Sequence, residues 1–209
     1  TNNNRFEIFI ERCAPIQVSY LGYAATTGSD CIDYIIGDKV VIPKENQKDY
    51  SEKIIYLPDC FMANDFTKKI STKIFTREEL GLPKEGFVFC CFNKYYKIIP
   101  SIFDIWMRLL KKVEGSVLWL TEGNLTGVKN LQKEANKRGI DSERLIFAKY
   151  TKLLADHLAR HKAADLFVDT FPYTAHSGCS DALWAGLPVL TCVGESFASR
   201  VSASLLNAI

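Results

Sequence analysis

From Phe87 onward, short apolar runs alternate with stretches that repeat at helical spacing, and no other feature of these 209 residues narrows the fold as much. Phe87–Phe92 is apolar at every position, as a strand covered on both faces must be. Pro100 then opens a predicted helix whose apolar face is Ile102, Phe103, Trp106, Leu109, Leu110 and Val113. Further strands are predicted at Val117–Leu120, Leu145–Ala148, Leu166–Val168 and Val189–Cys192. Helices are predicted at Leu125–Arg138, closed by Gly139, and at Leu153–His161, Ser177–Ala185 and Phe197–Leu206. Strands that alternate with helices form βαβ units, so the fold class is α/β: a Rossmann-like parallel sheet with helices on both faces. Ligands of such sheets sit beyond the carboxyl ends of the strands. The loops that matter are therefore Asn93–Ile99, Thr121–Asn124, Lys149–Lys152, Thr170–Ser177 and Val193–Ser196.

The loop after Leu166–Val168 carries the densest chemistry. His176, Ser177 and Gly178 stand just ahead of a helix, where free backbone N–H groups and the helix dipole favour a phosphate. His176 and Ser177 add side-chain donors, and Gly178 lets a ligand come close to the backbone. Asp181, one turn in, can accept both hydroxyls of a ribose or can simply stabilise the helix start. Lys97, past the first sheet strand, can place an ammonium on a phosphate, with Lys94 as helper; either can equally be a solvated lysine. His157 and Arg160, three apart, share one helix face and suit a base, by stacking and by donation to its carbonyls; the plain alternative is a charged surface helix. His161 points elsewhere and reads as surface, whereas the three Trp read as core. Gly194-Glu195-Ser196 is either a second phosphate-facing turn or an ordinary start with Ser196 as N-cap. Asp165 and Asp169 bracket a strand, so they cannot both face one sugar as a glycosidase pair must. Together these residues indicate a nucleotide-diphosphate site.

The rest of the chain sets bounds. Before Phe87, short strands are predicted within Ile16–Leu21, Ile32–Ile36 and Ile54–Leu57, residues 63–75 read as a linker, and Thr76 with Glu79 forms a capping box. Lys and Arg are scattered and the net charge is +2, which gives no footprint for nucleic acid. No apolar run reaches the ~18 residues of a membrane span. Seven cysteines without C-x-x-C spacing suit reduced thiols of a cytoplasmic protein, and no paired spacing predicts a metal site. The Thr-Asn-Asn-Asn opening and the helix-like run at Ile209 predict a piece of a larger protein.

Arg12-Cys13-Ala14-Pro15-Ile16-Gln17-Val18, Leu21-Gly22-Tyr23 and Asp33-Tyr34-Ile35 resemble the catalytic region of O-linked N-acetylglucosamine transferases (glycosyltransferase family 41). So do Phe92-Asn93 with Tyr96-Lys97, Asp165–Asp169, His176 to Asp181, Leu183-Trp184-Ala185-Gly186 and Ala198-Ser199-Arg200-Val201, and the match runs over nearly the whole chain. Wording such as Trp119-Leu120-Thr121-Glu122-Gly123-Asn124 is similar to the bacterial, SPINDLY-like branch. The resemblance implies the two-lobed GT-B fold, with residues 1–75 as tail of the N-terminal lobe and linker, and 76–209 as a truncated C-terminal, nucleotide-sugar-binding lobe. It implies transfer of N-acetylglucosamine from UDP-N-acetylglucosamine to Ser or Thr of protein acceptors, with inversion and with no cofactor or required metal. Tetratricopeptide-repeat contacts would lie outside this chain, which alone would be inactive. By resemblance, Lys97 and His176 are the catalytic pair at the diphosphate, and His157 and Arg160 hold uracil. Ser177 and Gly178 meet phosphate and sugar, Asp181 is the ribose acid, and Leu21 and Gly22 wall the sugar pocket. Lys94 replaces the family's usual neutral residue, Gly178 a second threonine, Leu154 a lysine, and Ala24-Ala25 a Pro-Gly pair. A transferase using another donor such as GDP-fucose, or a non-catalytic nucleotide-sugar-binding scaffold, are the competing expectations; His176 and Asp181 favour the uridine donor.

Overall fold

Residues 5–209 are described by a computed structural model, and they divide into two units, one running to Asn64 and taking in Val193–Ile209, the other spanning Asp65–Cys192. The opening Thr-Asn-Asn-Asn, read above as a cut end, lies outside the described residues. The division differs from the sequence expectation at residue 75: the predicted linker groups with the second unit and the last helix with the first.

In the first unit, α1 (Glu7–Ile10) precedes three short strands, β1 (Val18–Ser19), β2 (Tyr34–Gly37) and β3 (Lys53–Tyr56). They form a parallel sheet in that order, with Val18 opposite Tyr34 and Tyr34 opposite Lys53. β1 begins later than Ile16 because the Gln17 N–H donates to the Asp33 carboxylate at 2.8 Å rather than to a strand. Leu21, at φ +63°, is the centre of a γ-turn closed by Gly22 N–H to the Tyr20 carbonyl at 2.8 Å, a strained conformation for a branched residue. Buried Asp38 accepts from the Val40 and Val41 N–H groups through Oδ1, and from the Phe61 N–H and the Ser204 hydroxyl through Oδ2. This last bond, with Arg200 Nε donating to the Val40 carbonyl and the Phe197 ring edge-on to Phe61, ties the chain's end to this unit.

The second unit holds β4 (Val88–Cys91), α2 (Pro100–Lys112), β5 (Val117–Thr121), α3 (Leu125–Lys137), β6 (Leu145–Ala148), α4 (Leu154–Arg160), β7 (Leu166–Val168), α5 (Ser177–Trp184) and β8 (Val189–Leu190); α6 (Val201–Asn207) then completes the first unit. All five strands are parallel, in the order β6-β5-β4-β7-β8. Every residue of β4 is buried, as its unbroken apolar run requires. Successive strands step outward from β4 to β6, then the chain returns to place β7 on the other side of β4. Right-handed crossovers therefore set α2 and α3 on one face and α4 and α5 on the other. The reversal opens a crevice between the carboxyl ends of β4 and β7.

The sequence-predicted elements of this unit form within a residue or two at each end. α2 buries Phe103, Trp106 and Leu110 as expected and adds Met107, while Ile102, Leu109 and Val113 are only half-buried. Ser196 and Ser199 make a capping box, so Gly194-Glu195-Ser196 is an ordinary helix start; it lies in the first unit. Trp184 is an exception to the core reading, being 40% exposed, while Trp106 and Trp119 are buried. At the amino end of the sheet, Asp165 Oδ2 accepts from the Val88 N–H at 2.7 Å and from Arg77 at 2.8 Å, and the Thr76–Glu79 capping box holds the turn before Gly81. No helix among the described residues is long and apolar enough to cross a membrane.

At the carboxyl end, Tyr95 fixes the loop after β5: its hydroxyl donates to the Thr121 carbonyl at 2.7 Å and accepts from the Gly123 N–H at 3.0 Å. The ring packs against Gly123 and Gly127, where a Cβ would stand 2.5 Å and 2.6 Å from ring carbons. With its hydroxyl bonded at both sides, the ring cannot retreat. Gly123→Ala is therefore expected to destabilise the protein by about 1–3 kcal/mol, and Tyr95→Ala in the same chain to relieve most of the clash; urea unfolding of the single and double variants checks this.

Candidate functional site

The crevice beyond the carboxyl ends of the strands holds two adjoining hollows of about 380 and 660 Å³, which share Lys94, Tyr96 and His157 in their walls. The smaller is lined by Lys97, His176, Ser177, Gly178 and Asp181 among others, and the larger by Thr121–Asn124, Ala148–Lys152, His157 and Arg160. Four of the five loops singled out in the sequence thus meet here; Val193–Ser196 belongs to the first unit.

Asp169 builds the floor. Its Oδ1 accepts from the N–H groups of Thr170 and Ala175, each at 2.7 Å, and from Asn93 Nδ2 at 3.1 Å; its Oδ2 accepts from the Thr191 hydroxyl at 2.7 Å. Asn93 Nδ2 also donates to Thr170 Oγ1 at 2.8 Å, whose hydroxyl donates to the Tyr173 carbonyl. One carboxylate therefore joins the ends of β4, β7 and β8 and shapes the loop leading into α5. Sequence reasoning weighed Asp169 only as half of a glycosidase pair and missed this role; its place just past a strand was the available signal.

Lys97 closes a single tight turn, Tyr95–Lys97, and is buried. Its Nζ donates to the Thr174 carbonyl at 2.8 Å and stands 3.8 Å over the Tyr173 ring. Burial pushes its ammonium pKa down, and the nearby Asp169 charge opposes that. Lys97 is thus no solvated lysine, whereas Lys94 is exposed at the rim between the hollows. His176 is the N-cap of α5, and its ring centroid lies 5.0 Å from that of Tyr173. Ser177 is the first helical residue and is exposed. Gly178 needs no special backbone, since a Cβ there would meet Asn93 Oδ1 at an ordinary 3.6 Å; what its hydrogen leaves open is space toward the hollow. Asp181 pairs with Lys68, 2.9 Å away, a partner no sequence signal announced.

His157 and Arg160 are not a charged surface face. Arg160 is 4% exposed, and its guanidinium lies 4.6 Å over the Phe92 ring. Its Nη1 donates to the Lys149 carbonyl and its Nη2 bonds His157 Nδ1, each at 2.7 Å. A guanidinium only donates, so His157 Nδ1 accepts and the ring proton sits on Nε2. Arg160 thereby reaches any ligand chiefly through the imidazole it orients and the loop carbonyl it holds. Burial, then the Arg160 and His161 charges, push the His157 pKa down to about 4, against the pull of Asp181. The surface reading of His161 is corrected: it is 1% exposed, donates from Nδ1 to the His157 carbonyl at 2.8 Å, and stands edge-on to Phe92. His161 stands four residues after His157, so helical spacing sets both on one face, with their rings 4.8 Å apart and edge-on.

Leu21 and Gly22 lie in the first unit. Gly22 lines an apolar hollow of about 490 Å³ there with Phe6, Phe9 and Tyr23, and a Cβ at Gly22 would meet nothing within 4 Å. Among the described residues, no group of three or more His, Cys, Asp or Glu side chains is placed to hold a metal ion.

The family model described as glycosyl transferase family 41 matches residues 1–72 and 66–209. A probable UDP-N-acetylglucosamine–peptide N-acetylglucosaminyltransferase of Arabidopsis thaliana, SEC, is 37% identical over 210 residues, covering 98% of this chain and 21% of the relative. The corresponding probable transferase SPINDLY of the same plant is 29% identical over 220 residues, covering 100% and 23%. SEC thus shares more identity than this member of the SPINDLY group, toward which the wording after Trp119 leaned. An O-GlcNAc transferase mutant of Thermobaculum terrenum superposes with a TM-score of 0.83 at 28% identity, over 95% of this chain and 37% of that one. The chain spans about a fifth of the length of these curated relatives.

The buried imidazole has a pH consequence. An unfolded His157 titrates near 6.5 and the folded one near 4, so between these values the unfolded state binds more protons and stability falls as pH falls. Urea unfolding across this window is expected to show that fall, and His157→Gln to make it shallower. By NMR the His157 ring should stay neutral down to about pH 5.

Proposed function

Because the chain belongs to glycosyl transferase family 41 and shares its α/β, GT-B type fold, we propose that it carries the donor-binding part of a protein O-glycosyltransferase. The enzyme moves N-acetylglucosamine from UDP-N-acetylglucosamine to Ser or Thr hydroxyls of proteins, with inversion and without a required metal. It acts in the cytoplasm, and tetratricopeptide repeats outside these residues add contacts to the protein acceptors. The second unit serves as the C-terminal, donor-binding lobe.

The observation that supports this reading best is the pairing of the two hollows: an anion-facing one at the start of α5 beside a larger one walled by a neutral imidazole, with a carboxylate in the smaller. In this reading the diphosphate lies against the α5 N-terminus, His176, Ser177 and Lys97. The ribose hydroxyls donate to Asp181, and uracil lies against the His157 ring that Arg160 orients. The acceptor oxygen attacks the anomeric carbon on the face opposite the diphosphate. The bond from that carbon to the phosphate oxygen breaks, and its electron pair leaves on the diphosphate. The hydroxyl proton passes to a base outside the residues named here. Charge grows on the leaving diphosphate, and in this reading Lys97, His176 and the helix N–H groups stabilise it.

Calorimetry on the chain tests both halves of the site. UDP is expected to bind at least about tenfold more tightly than GDP, because one base edge must match fixed donors and carbonyls. Equal affinity overturns the uridine assignment. Lys97→Ala is expected to weaken UDP binding by about 1.5–3 kcal/mol through loss of a charge-assisted contact. Unchanged UDP affinity in that variant removes Lys97 from the site.

A further inference from the structure

Lys68 lies in the stretch that the sequence presents as a linker, and it does not itself line the crevice, yet it is held to α5 at both ends. Its Nζ donates to Asp181 Oδ1 at 2.9 Å, with the two side chains 19% and 15% exposed. Its carbonyl accepts from Trp184 Nε1 at 3.1 Å. Asp181 and Trp184 are three apart on α5 and share a face, so one residue is clamped twice along one helix side. Just beyond, the Ser71 N–H donates to the Ala155 carbonyl of α4 at 3.1 Å. Residues 68–71 thus form a strap over the two helices that carry His157 and Asp181.

The strap's one charged contact falls on a carboxylate that lines the smaller hollow. The ammonium uses one acceptor position on Oδ1, and Oδ2 accepts no bond among the described residues. A carboxylate offers roughly four lone-pair positions, so room remains for the two hydroxyls of a diol. We propose that Lys68 is a positioning residue: it holds the Asp181 carboxylate aimed at a vicinal diol, and so sets the site's preference for a ribose over a deoxyribose. The inference rests on the nucleotide reading given above. A tether with no part in recognition would steady the fold and affect all nucleotides alike; a positioning residue acts on the diol alone.

The experiment titrates the chain and its K68M, K68R and D181N variants with UDP and with 2′,3′-dideoxy-UDP. The unsubstituted chain is expected to prefer UDP by at least about tenfold, the worth of hydrogen bonds to a charged group. K68M should lose most of that preference, as D181N does, while its affinity for the dideoxy analogue changes by less than about twofold, and K68R should restore part of it. K68M weakening both ligands equally, or keeping the full preference, overturns the proposal. Should K68M fail to fold, the unsubstituted chain gives the same answer by NMR: the Lys68 Nζ resonance should shift with UDP and not with the analogue, and a resonance indifferent to both overturns the proposal. If the unsubstituted chain binds neither ligand, the nucleotide reading falls and this inference with it.

Discussion

The Asp169 carboxylate is the contact on which the crevice depends. Four donors converge on it from three strand ends and from the loop before α5. A buried carboxylate is costly unless its lone pairs are occupied, and here two backbone N–H groups, an amide and a hydroxyl occupy them. The loop that results carries the Thr174 carbonyl to Lys97 and sets His176 at the head of α5. Lys97, buried and bonded to that carbonyl, is placed by the same geometry; loosen Asp169 and both the lysine and the start of α5 lose their support.

The larger hollow works by a different principle. Its histidine is not a charge but a fixed dipole. Arg160 supplies the constraint, since a group that only donates leaves its partner one tautomer. The guanidinium in turn rests on Phe92 and near Trp119, exchanging water for ring faces. Among the described residues, Arg160 Nε and Trp119 Nε1 have no hydrogen-bond partner, an unusual pair of unsatisfied buried donors. The pair is confined to the layer directly behind His157, where rigidity of the ring matters most.

The sheet unit was legible because its signals are local. A short unbroken apolar run fits a doubly covered strand, a proline ahead of an apolar face at helical spacing fits a first helical turn, and glycine after Lys137-Arg138 ends one; β4, α2 and α3 follow from these. The loops that meet at the crevice followed from topology alone. What stayed hidden depends mostly on contacts between residues far apart in sequence. Lys68 meets Asp181 across 113 positions, and nothing in either neighbourhood signals the other. His161 was misread because it was judged against its neighbour Arg160, whereas its four-residue spacing from His157 puts both rings on one inward face beside Phe92. The return of α6 to the first unit likewise rests on distant contacts, from Ser204 to Asp38 and Cys60 and from Arg200 to the Val40 carbonyl.

The latch at the amino edge of the sheet, where Asp165 binds Arg77 and the Val88 N–H, stands a full strand length from the crevice. Because all five strands run the same way, every demand of recognition falls on one rim, and the other answers only to cohesion. This unit therefore has a working end and a handle. Turns on the handle side, around Gly115 and Gly186, are where a fluorophore, an affinity tag or a surface tether can be attached while the opposite rim stays open to its ligand.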